Sequence, residues 1–255
     1  MMDDIRPIEK EAHRLLEDNE YQKAAGLFYQ VADAYIQNRQ HQQAAFCLAQ
    51  AASCWALKAG EKTFYNAATM YEKAAKQAQS AHDFEYASLL YKHAAVSYER
   101  DLEYLGFSEC FYLSKECYRK SLKNSLFHPH KTKKEPGKRS LKNLIRKFIS
   151  LCFLTFSWAL WGYGERPQRT ILFGCILIVG FAFVYTGGSL MMGEASSQPR
   201  LSEAMYFSVV TFTTLGYGDI VPLGLNKVFA VMEALSGLFI APVFITGLSR
   251  KYLRF

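Results

Sequence analysis

Two long stretches with little charge constrain the fold of this chain more than any other feature. Residues 170–193 are 24 consecutive uncharged residues, and residues 228–249 contain one charged side chain, Glu233. At 1.5 Å per residue, a helix over the first stretch is about 36 Å long, which exceeds the bilayer hydrocarbon core of about 30 Å. We therefore expect two membrane-spanning helices, at residues 170–192 and 226–250.

A third apolar stretch, residues 148–164, has basic residues on both sides. A membrane-spanning helix here would place one basic cluster outside, against the tendency of Lys and Arg to stay in the cytoplasm. We expect instead an amphipathic helix over residues 141–165 that lies on the cytoplasmic face of the membrane. The chain is then a multi-pass protein of the cell membrane, in contact with lipid, with both termini in the cytoplasm.

The basic charge is concentrated in one short segment. The chain has 30 Lys and Arg against 23 Asp and Glu; eight of the basic residues and one acid lie in residues 126–150, and the remainder has 22 of each. A basic segment beside a membrane helix is typical of a contact with anionic lipid. The distribution argues against a nucleic-acid-binding fold, so we expect no nucleic-acid partner. Residues 126–140 contain two prolines and a glycine and are predicted to be a basic linker.

The first 125 residues contain an internal repeat. Four segments have apolar residues at helical spacing, and each carries two adjacent small residues, offset by 20, 23 and 20 positions. These pairs are Ala24-Ala25, Ala44-Ala45, Ala67-Ala68 and Ala87-Ser88. Small residues at fixed places let antiparallel helices pack closely. We predict an all-α chain that begins with an α-solenoid over residues 1–125.

This repeat resembles the tetratricopeptide class, especially the longer-helix branch seen in soluble NSF attachment proteins, over residues 8–124. The resemblance implies a concave surface that binds a peptide, protein or small ligand; a structural collar for assembly is an equal alternative. The polar start of the chain, MMDDIRPIEKEAH, lacks the apolar segment of a signal peptide. We therefore expect this region in the cytoplasm.

The segment between the two long apolar stretches reads LSEAMYFSVVTFTTLGYGDIVP, at residues 201–222. It begins with an apolar helix, expected at residues 202–212, that is too short to span a bilayer. Such a re-entrant helix is tolerated at membrane depth only where it is buried in protein or lines water. The following residues, 213–219, contain two glycines, which permit backbone angles that turn successive carbonyl groups toward one axis. This arrangement suits a cation that has lost its hydration shell.

Here the sequence closely resembles the potassium-channel pore domain with two transmembrane helices per subunit, a domain expected at residues 166–255. The resemblance implies that one chain supplies a quarter of the selectivity filter in a homotetramer. The usual valine of the filter is replaced by Leu215, whose side chain should point outward and spare the carbonyl geometry. By resemblance, K⁺ is bound by the carbonyls of Thr214, Leu215, Gly216 and Tyr217 and by the Thr214 hydroxyl, and Gly218 completes the filter.

Two acidic residues lie near the predicted filter. Asp219 follows it at the extracellular mouth, where four copies would concentrate cations. Some family members pair this aspartate with a carboxylate behind the filter; Val210 occupies that position, so this pairing is absent. Glu233 is predicted to be buried behind the short helix, hydrogen-bonded to hydroxyls such as those of Thr211 or Thr213, with Glu233→Gln preserving conduction.

The second long helix is expected to line the cavity. Gly237 matches the position of the family's gating hinge, and Leu238, Ala241 and Ile245 share one face. Pro242 cannot donate its backbone hydrogen bond, so we expect a bend nearby. The alternative for Gly237 is that it only admits a neighbouring helix.

The sequence thus predicts a tetrameric channel for passive K⁺ conduction that is gated or assembled through its N-terminal helices. No enzyme chemistry is expected and no cofactor is implied, since K⁺ is only the permeant ion. Two alternatives remain: a non-selective cation channel, and a membrane-anchored adaptor of tetratricopeptide type whose pore is vestigial. The six cysteines are expected to be reduced and to act as small apolar residues.

Overall fold

The chain is helical in both of its parts. The structure, a computed structural model, describes residues 5–58, 60–127, 141–193 and 195–252. Within these residues it has ten α-helices and three short strands, and the chain divides into two compact units, Met1–Thr155 and Phe156–Phe255. The prediction of an all-α chain is confirmed. The basic linker lies outside the described residues from residue 128 onward.

Six consecutive helices build most of the first unit, and each packs mainly on its neighbours in sequence. They are α1 (Ile5–Glu17), α2 (Tyr21–Gln37), α3 (His41–Leu57), α4 (Thr63–Ser80), α5 (Phe84–Arg100) and α6 (Tyr104–Phe127). The paired small residues of the repeat are almost all fully buried, the exception being the half-buried Ser88. Because alanine takes little space, larger side chains such as Phe28 and Tyr91 fill the space opposite.

The repeat is visible in the turns as well as in the helices. Four connections consist of three residues whose middle member has a left-handed backbone, with φ of 61°, 56°, 58° and 60°. These middle residues are Asn19, Arg39, His82 and Leu102. In each turn the N–H of the third residue donates to the carbonyl five positions earlier, as Glu20 does to Leu15 at 2.8 Å. This is the hydrogen bond of a Schellman motif, which ends a helix sharply.

Four of the six cysteines are buried in this unit, as free thiols. They are Cys47, Cys54, Cys110 and Cys117. Burial raises the pKa of the Cys110 thiol to about 12, so this thiol stays protonated and unreactive at neutral pH. These four residues therefore pack as small apolar side chains.

Three helices within the described residues are long and apolar enough to cross a membrane. The first is α7 (Leu141–Trp161), none of whose side chains is buried, and it leads into a short 3-10 helix, Gly162–Gly164. The other two are α8 (Gln168–Thr186) and α10 (Asn226–Tyr252). The sequence had predicted two spanning helices and placed the first of these three on the membrane surface.

A short helix and a small sheet lie between α8 and α10 in the sequence. The helix is α9 (Leu201–Phe212), and the strands are β1 (Leu190–Met192), β2 (Ala195–Ser197) and β3 (Ile220–Pro222). The sheet is antiparallel with the order β2-β1-β3, and Leu190 faces Ser197 on one side and Pro222 on the other. These strands were not predicted from the sequence.

The strands explain why α8 ends at Thr186, six residues before the expected limit of 192. Gly187 and Gly188 follow, and both favour the end of a helix. The next residues are used by β1, whose Leu190 is fully buried. Because this hairpin begins with uncharged residues, it had been counted as part of the apolar stretch.

Candidate functional site

The candidate site is built on α9, which packs against both α8 and α10. Glu203 in its first turn accepts a hydrogen bond from the backbone N–H of Arg200 at 2.7 Å, which fixes the start of the helix. A carboxylate in this position also interacts favourably with the positive end of the helix dipole. The packed face includes Ala204 and Phe207, which join Tyr185 of α8 in one apolar cluster.

The loop of residues 213–219, the predicted filter and called the filter loop below, leaves the C-terminal end of α9. Its backbone alternates: φ is positive at Thr214 (58°), Gly216 (57°) and Gly218 (79°) but not at Leu215 or Tyr217. Thr214 is the only β-branched residue with positive φ among the residues that the structure describes, and this angle is costly for such a side chain. The loop therefore has a specific conformation that glycine alone does not explain.

The side chains of Leu215 and Tyr217 are 59% and 67% exposed in the single chain. The loop is tied to the helix through the N–H of Leu215, which donates to the Val210 carbonyl at 3.1 Å. The Thr213 hydroxyl donates back to the Val209 carbonyl at 2.7 Å. These bonds hold the beginning of the loop on the end of α9 and leave its later residues at the surface.

Asp219 has a partner that the sequence analysis missed. The Tyr206 hydroxyl on α9 donates a hydrogen bond to Asp219 Oδ2 at 2.8 Å. Tyr206 lies one helical turn before Val210, the position at which the sequence analysis looked for a partner. The signal that could have found it is this spacing, which puts both residues on one face of the helix.

Glu233 on α10 is fully buried. Its Oε2 accepts a hydrogen bond from the Tyr185 hydroxyl at 2.6 Å, and its Oε1 contacts the Ser208 hydroxyl. The sequence suggested hydroxyl partners on α9 but named Thr211 or Thr213; the hydroxyl in contact is one turn earlier, and Tyr185 of α8 was not foreseen.

At Gly237, α10 passes close to the backbone at the end of α9. A Cβ atom added to Gly237 would collide with the carbonyl oxygen of Phe212. The residue therefore admits a neighbouring backbone, which is the packing alternative considered for it. The α10 helix continues through Pro242, and the three residues expected to line a cavity are exposed in the single chain. These residues are Leu238, Ala241 and Ile245.

A tight elbow, residues 162–167, joins α7 to α8. Its Glu165 is buried and forms an ion pair with Arg250 near the end of α10, with 3.6 Å between oxygen and nitrogen. Arg169 donates to the Trp158 carbonyl at 2.9 Å and lies over the Trp158 ring. The elbow thus contacts the C-terminal end of α10.

Comparison with known proteins points to the same part of the chain. A family model described as "Ion channel" matches residues 169–254. A Rhodopseudomonas palustris protein named as a proposed potassium channel is 30% identical over 78 residues, 29% of this chain and 19% of that protein. Protein LctB of Bacillus caldotenax is 31% identical over 80 residues, 28% of this chain and 60% of LctB. The voltage-gated potassium channel Kch of Escherichia coli is 31% identical over 115 residues, 42% of this chain and 27% of Kch.

These matches establish an ion-channel domain in the C-terminal third of the chain, with potassium channels among its relatives. Together with the apolar helices, they indicate a membrane protein that contains an ion-channel domain. The chain spans 19% to 60% of the length of these relatives, and the family model does not extend to α1–α6. No solved structure matches the chain.

Proposed function

We propose that this chain is one subunit of a tetrameric, potassium-selective channel that conducts K⁺ passively across the cell membrane. Four filter loops surround one axis, and the carbonyl oxygens of residues 214–217 with the Thr214 hydroxyl replace the hydration shell of the ion. Asp219 lies at the extracellular mouth. α9 is a re-entrant pore helix, and α10 lines the cavity.

The observation that carries the proposal is the alternating backbone of the filter loop. When residues alternate between right-handed and left-handed conformations, successive N–H groups gather on one side of the chain and successive carbonyls on the other. The positive φ values at Thr214, Gly216 and Gly218 follow this alternation. A row of carbonyls on one side is what a dehydrated cation requires. A role in binding this cation accounts for the costly positive φ of Thr214.

The exposure of the single chain supports a symmetric assembly. Leu215, Tyr217, Leu238 and Ile245 are each more than half exposed, although large apolar side chains favour burial. In a tetramer the two filter side chains would be covered by neighbouring subunits, while the two residues of α10 would face the cavity.

The polar residues of α7 support its placement on the membrane surface. Asn143, Arg146, Ser150 and Ser157 recur at helical spacing and form one polar stripe, and the remaining face is mostly apolar. A helix with this pattern lies in the interface with its stripe toward water. The N- and C-termini are then both cytoplasmic.

Potassium flux into liposomes tests the proposal. The purified full chain is reconstituted, and flux is compared in potassium and sodium gradients, with barium as blocker. Barium-sensitive flux that favours potassium is the expected result. Gly216→Ala is the informative variant, because alanine resists the positive φ of this position, and it should abolish the flux.

Two other results would contradict this proposal and indicate a different function. Equal flux of potassium and sodium would indicate a non-selective cation channel. No flux from intact, folded protein, with or without residues 1–125, would favour a membrane-anchored adaptor. The filter loop argues against this last reading, because an anchor has no need of a strained backbone at Thr214.

The six helices of the first unit are proposed to form a solenoid that regulates or assembles the channel through a cytoplasmic peptide, protein or small ligand. Support comes from the repeated turns and the buried small residues, which are typical of stacked helical repeats. The family model that matches the C-terminal third does not cover this unit, so its role needs its own test.

A further inference from the structure

Three helices of the second unit meet at the carboxyl group of Glu233. This side chain belongs to α10, is fully buried, and contacts Tyr185 of α8 and Ser208 of α9. It is the one fully buried acidic side chain among the residues that the structure describes. A charged carboxylate in such a place is costly unless cations or several donors compensate it.

The number of protons available around Glu233 can be compared with the number that its contacts require. The Tyr185 hydroxyl is 2.6 Å from Glu233 Oε2, and the Ser208 hydroxyl touches Glu233 Oε1. The Ser208 oxygen is also 2.8 Å from the carbonyl oxygen of Ile178 on α8. Each of these three contacts joins two oxygens and needs one proton to be a hydrogen bond. The two hydroxyls supply two protons, and the Ile178 carbonyl supplies none.

We propose that Glu233 is a neutral carboxylic acid that supplies the missing proton and thereby positions α9 between α8 and α10. Tyr185 donates to Oε2, Oε1–H donates to Ser208, and Ser208 donates to the Ile178 carbonyl. All three contacts are then hydrogen bonds. Each donor passes to the next acceptor in the same order, from α8 to α10, from α10 to α9, and from α9 back to α8. The consequence for conduction rests on the proposed channel function; the hydrogen-bond arrangement does not.

The ionised form does not satisfy the same contacts. A carboxylate would take the single proton of Ser208, and the oxygens of Ser208 and Ile178 would then face each other at 2.8 Å without a proton. The groups that face the carboxyl are Tyr185 and Ser208, and on α10 itself Ser236 donates to the Glu233 backbone carbonyl. Among the described residues no basic side chain faces Glu233 to compensate a negative charge.

Two substitutions of Glu233 by side chains of nearly equal size should have different effects. In Glu233→Gln the amide oxygen accepts from Tyr185 and the amide N–H donates to Ser208, so the whole arrangement is kept. In Glu233→Leu both hydroxyls lose their partner in a buried place, which is costly. The glutamine variant should therefore behave like the parent, and the leucine variant should not.

Infrared spectroscopy of the full chain in lipid tests the protonation state directly. The difference spectrum between the parent and Glu233→Gln at neutral pH should contain the carbonyl stretch of a protonated carboxylic acid. The control variant Asp219→Asn should keep this absorption, because Asp219 lies at the surface. The band should therefore be absent from the difference spectrum between the parent and Asp219→Asn. A carboxylate band in place of the acid band would overturn the proposal.

Thermal unfolding and flux test the positioning role. The parent and Glu233→Gln should unfold at the same temperature, and Glu233→Leu at a lower one. Potassium flux of the parent should fall at alkaline pH, where the acid loses its proton, whereas flux of Glu233→Gln should not change with pH. Equal pH profiles for the parent and Glu233→Gln would overturn the role in conduction.

The two proposals can fail separately. The infrared band and the unfolding temperatures do not depend on conduction. Observation of the band without flux in any variant would support the neutral acid and contradict the proposed channel. A glutamine variant that unfolds as easily as the leucine variant would contradict the neutral acid, whatever the flux.

Discussion

The Tyr206 hydroxyl holds Asp219, the last residue of the filter loop. Tyr206 donates to Asp219 over 2.8 Å, and both residues are outside the apolar core. Tyr206→Phe removes this bond and leaves the ring in place. We expect several-fold lower steady-state potassium flux, because the mouth of the filter is then less firmly held. In an Asp219→Asn background the same substitution should have a smaller effect, since the charged acceptor is already gone; equal effects in both backgrounds would contradict the link.

Gly237 is the second residue whose role can be decided by one substitution. A methyl group there meets the Phe212 carbonyl, so Gly237→Ala should destabilise the protein by about 1–3 kcal/mol, the usual cost of overpacking. The measurement is the unfolding temperature in detergent. The neighbouring Ser236→Ala, which removes a hydroxyl and adds nothing, is the control. An unchanged unfolding temperature with altered gating would favour the hinge interpretation instead.

Among the helices and their connections, the turns of the first unit offer a direct test of the repeat. Leu102 has φ of 60° and a side chain that is 69% exposed, so a leucine occupies a position that favours glycine. Leu102→Gly should stabilise the protein by about 1 kcal/mol, measured as a higher unfolding temperature. Leu105→Gly, also exposed but inside α6, should instead lower it, because glycine weakens a helix. Destabilisation by both substitutions would contradict the turn geometry.

The sequence predicted helices well where their pattern is periodic and poorly where the chain turns. The repeated small residues indicated most of the helices in the first unit, since burial of one face imposes the period. The end of α8 and strands β1–β3 were missed because uncharged hairpin residues such as Leu190 look like a continuation of a membrane helix. In the site, the loop was recognisable from its glycines. Ser208 was not, because its partner Glu233 lies on another helix, 25 residues later. The pairing of Tyr206 with Asp219 was missed although Tyr206 shares a helical face with Val210.

In the whole molecule, the apolar cores of the two units are separate. The clusters of the first unit lie entirely within α1–α6, and the cluster of the second unit is built from α8, α9, α10 and the sheet. Each unit thus contains the contacts that stabilise it, which is the usual basis for independent folding. The groups proposed to bind K⁺ all belong to the second unit.

This division predicts what removal of residues 1–125 will do. The shortened chain should keep the potassium-to-sodium flux ratio of the full chain, because every proposed ligand of the ion remains. Its total flux should change, because the helices proposed to regulate or assemble the channel are gone. Liposome flux of both proteins, prepared side by side at equal subunit density, is the measurement. Higher flux from the shortened chain would make the first unit inhibitory, and lower flux with fewer tetramers would make it an assembly element. Identical flux and identical assembly would exclude both roles, and a changed ion ratio would mean that the first unit shapes the filter itself.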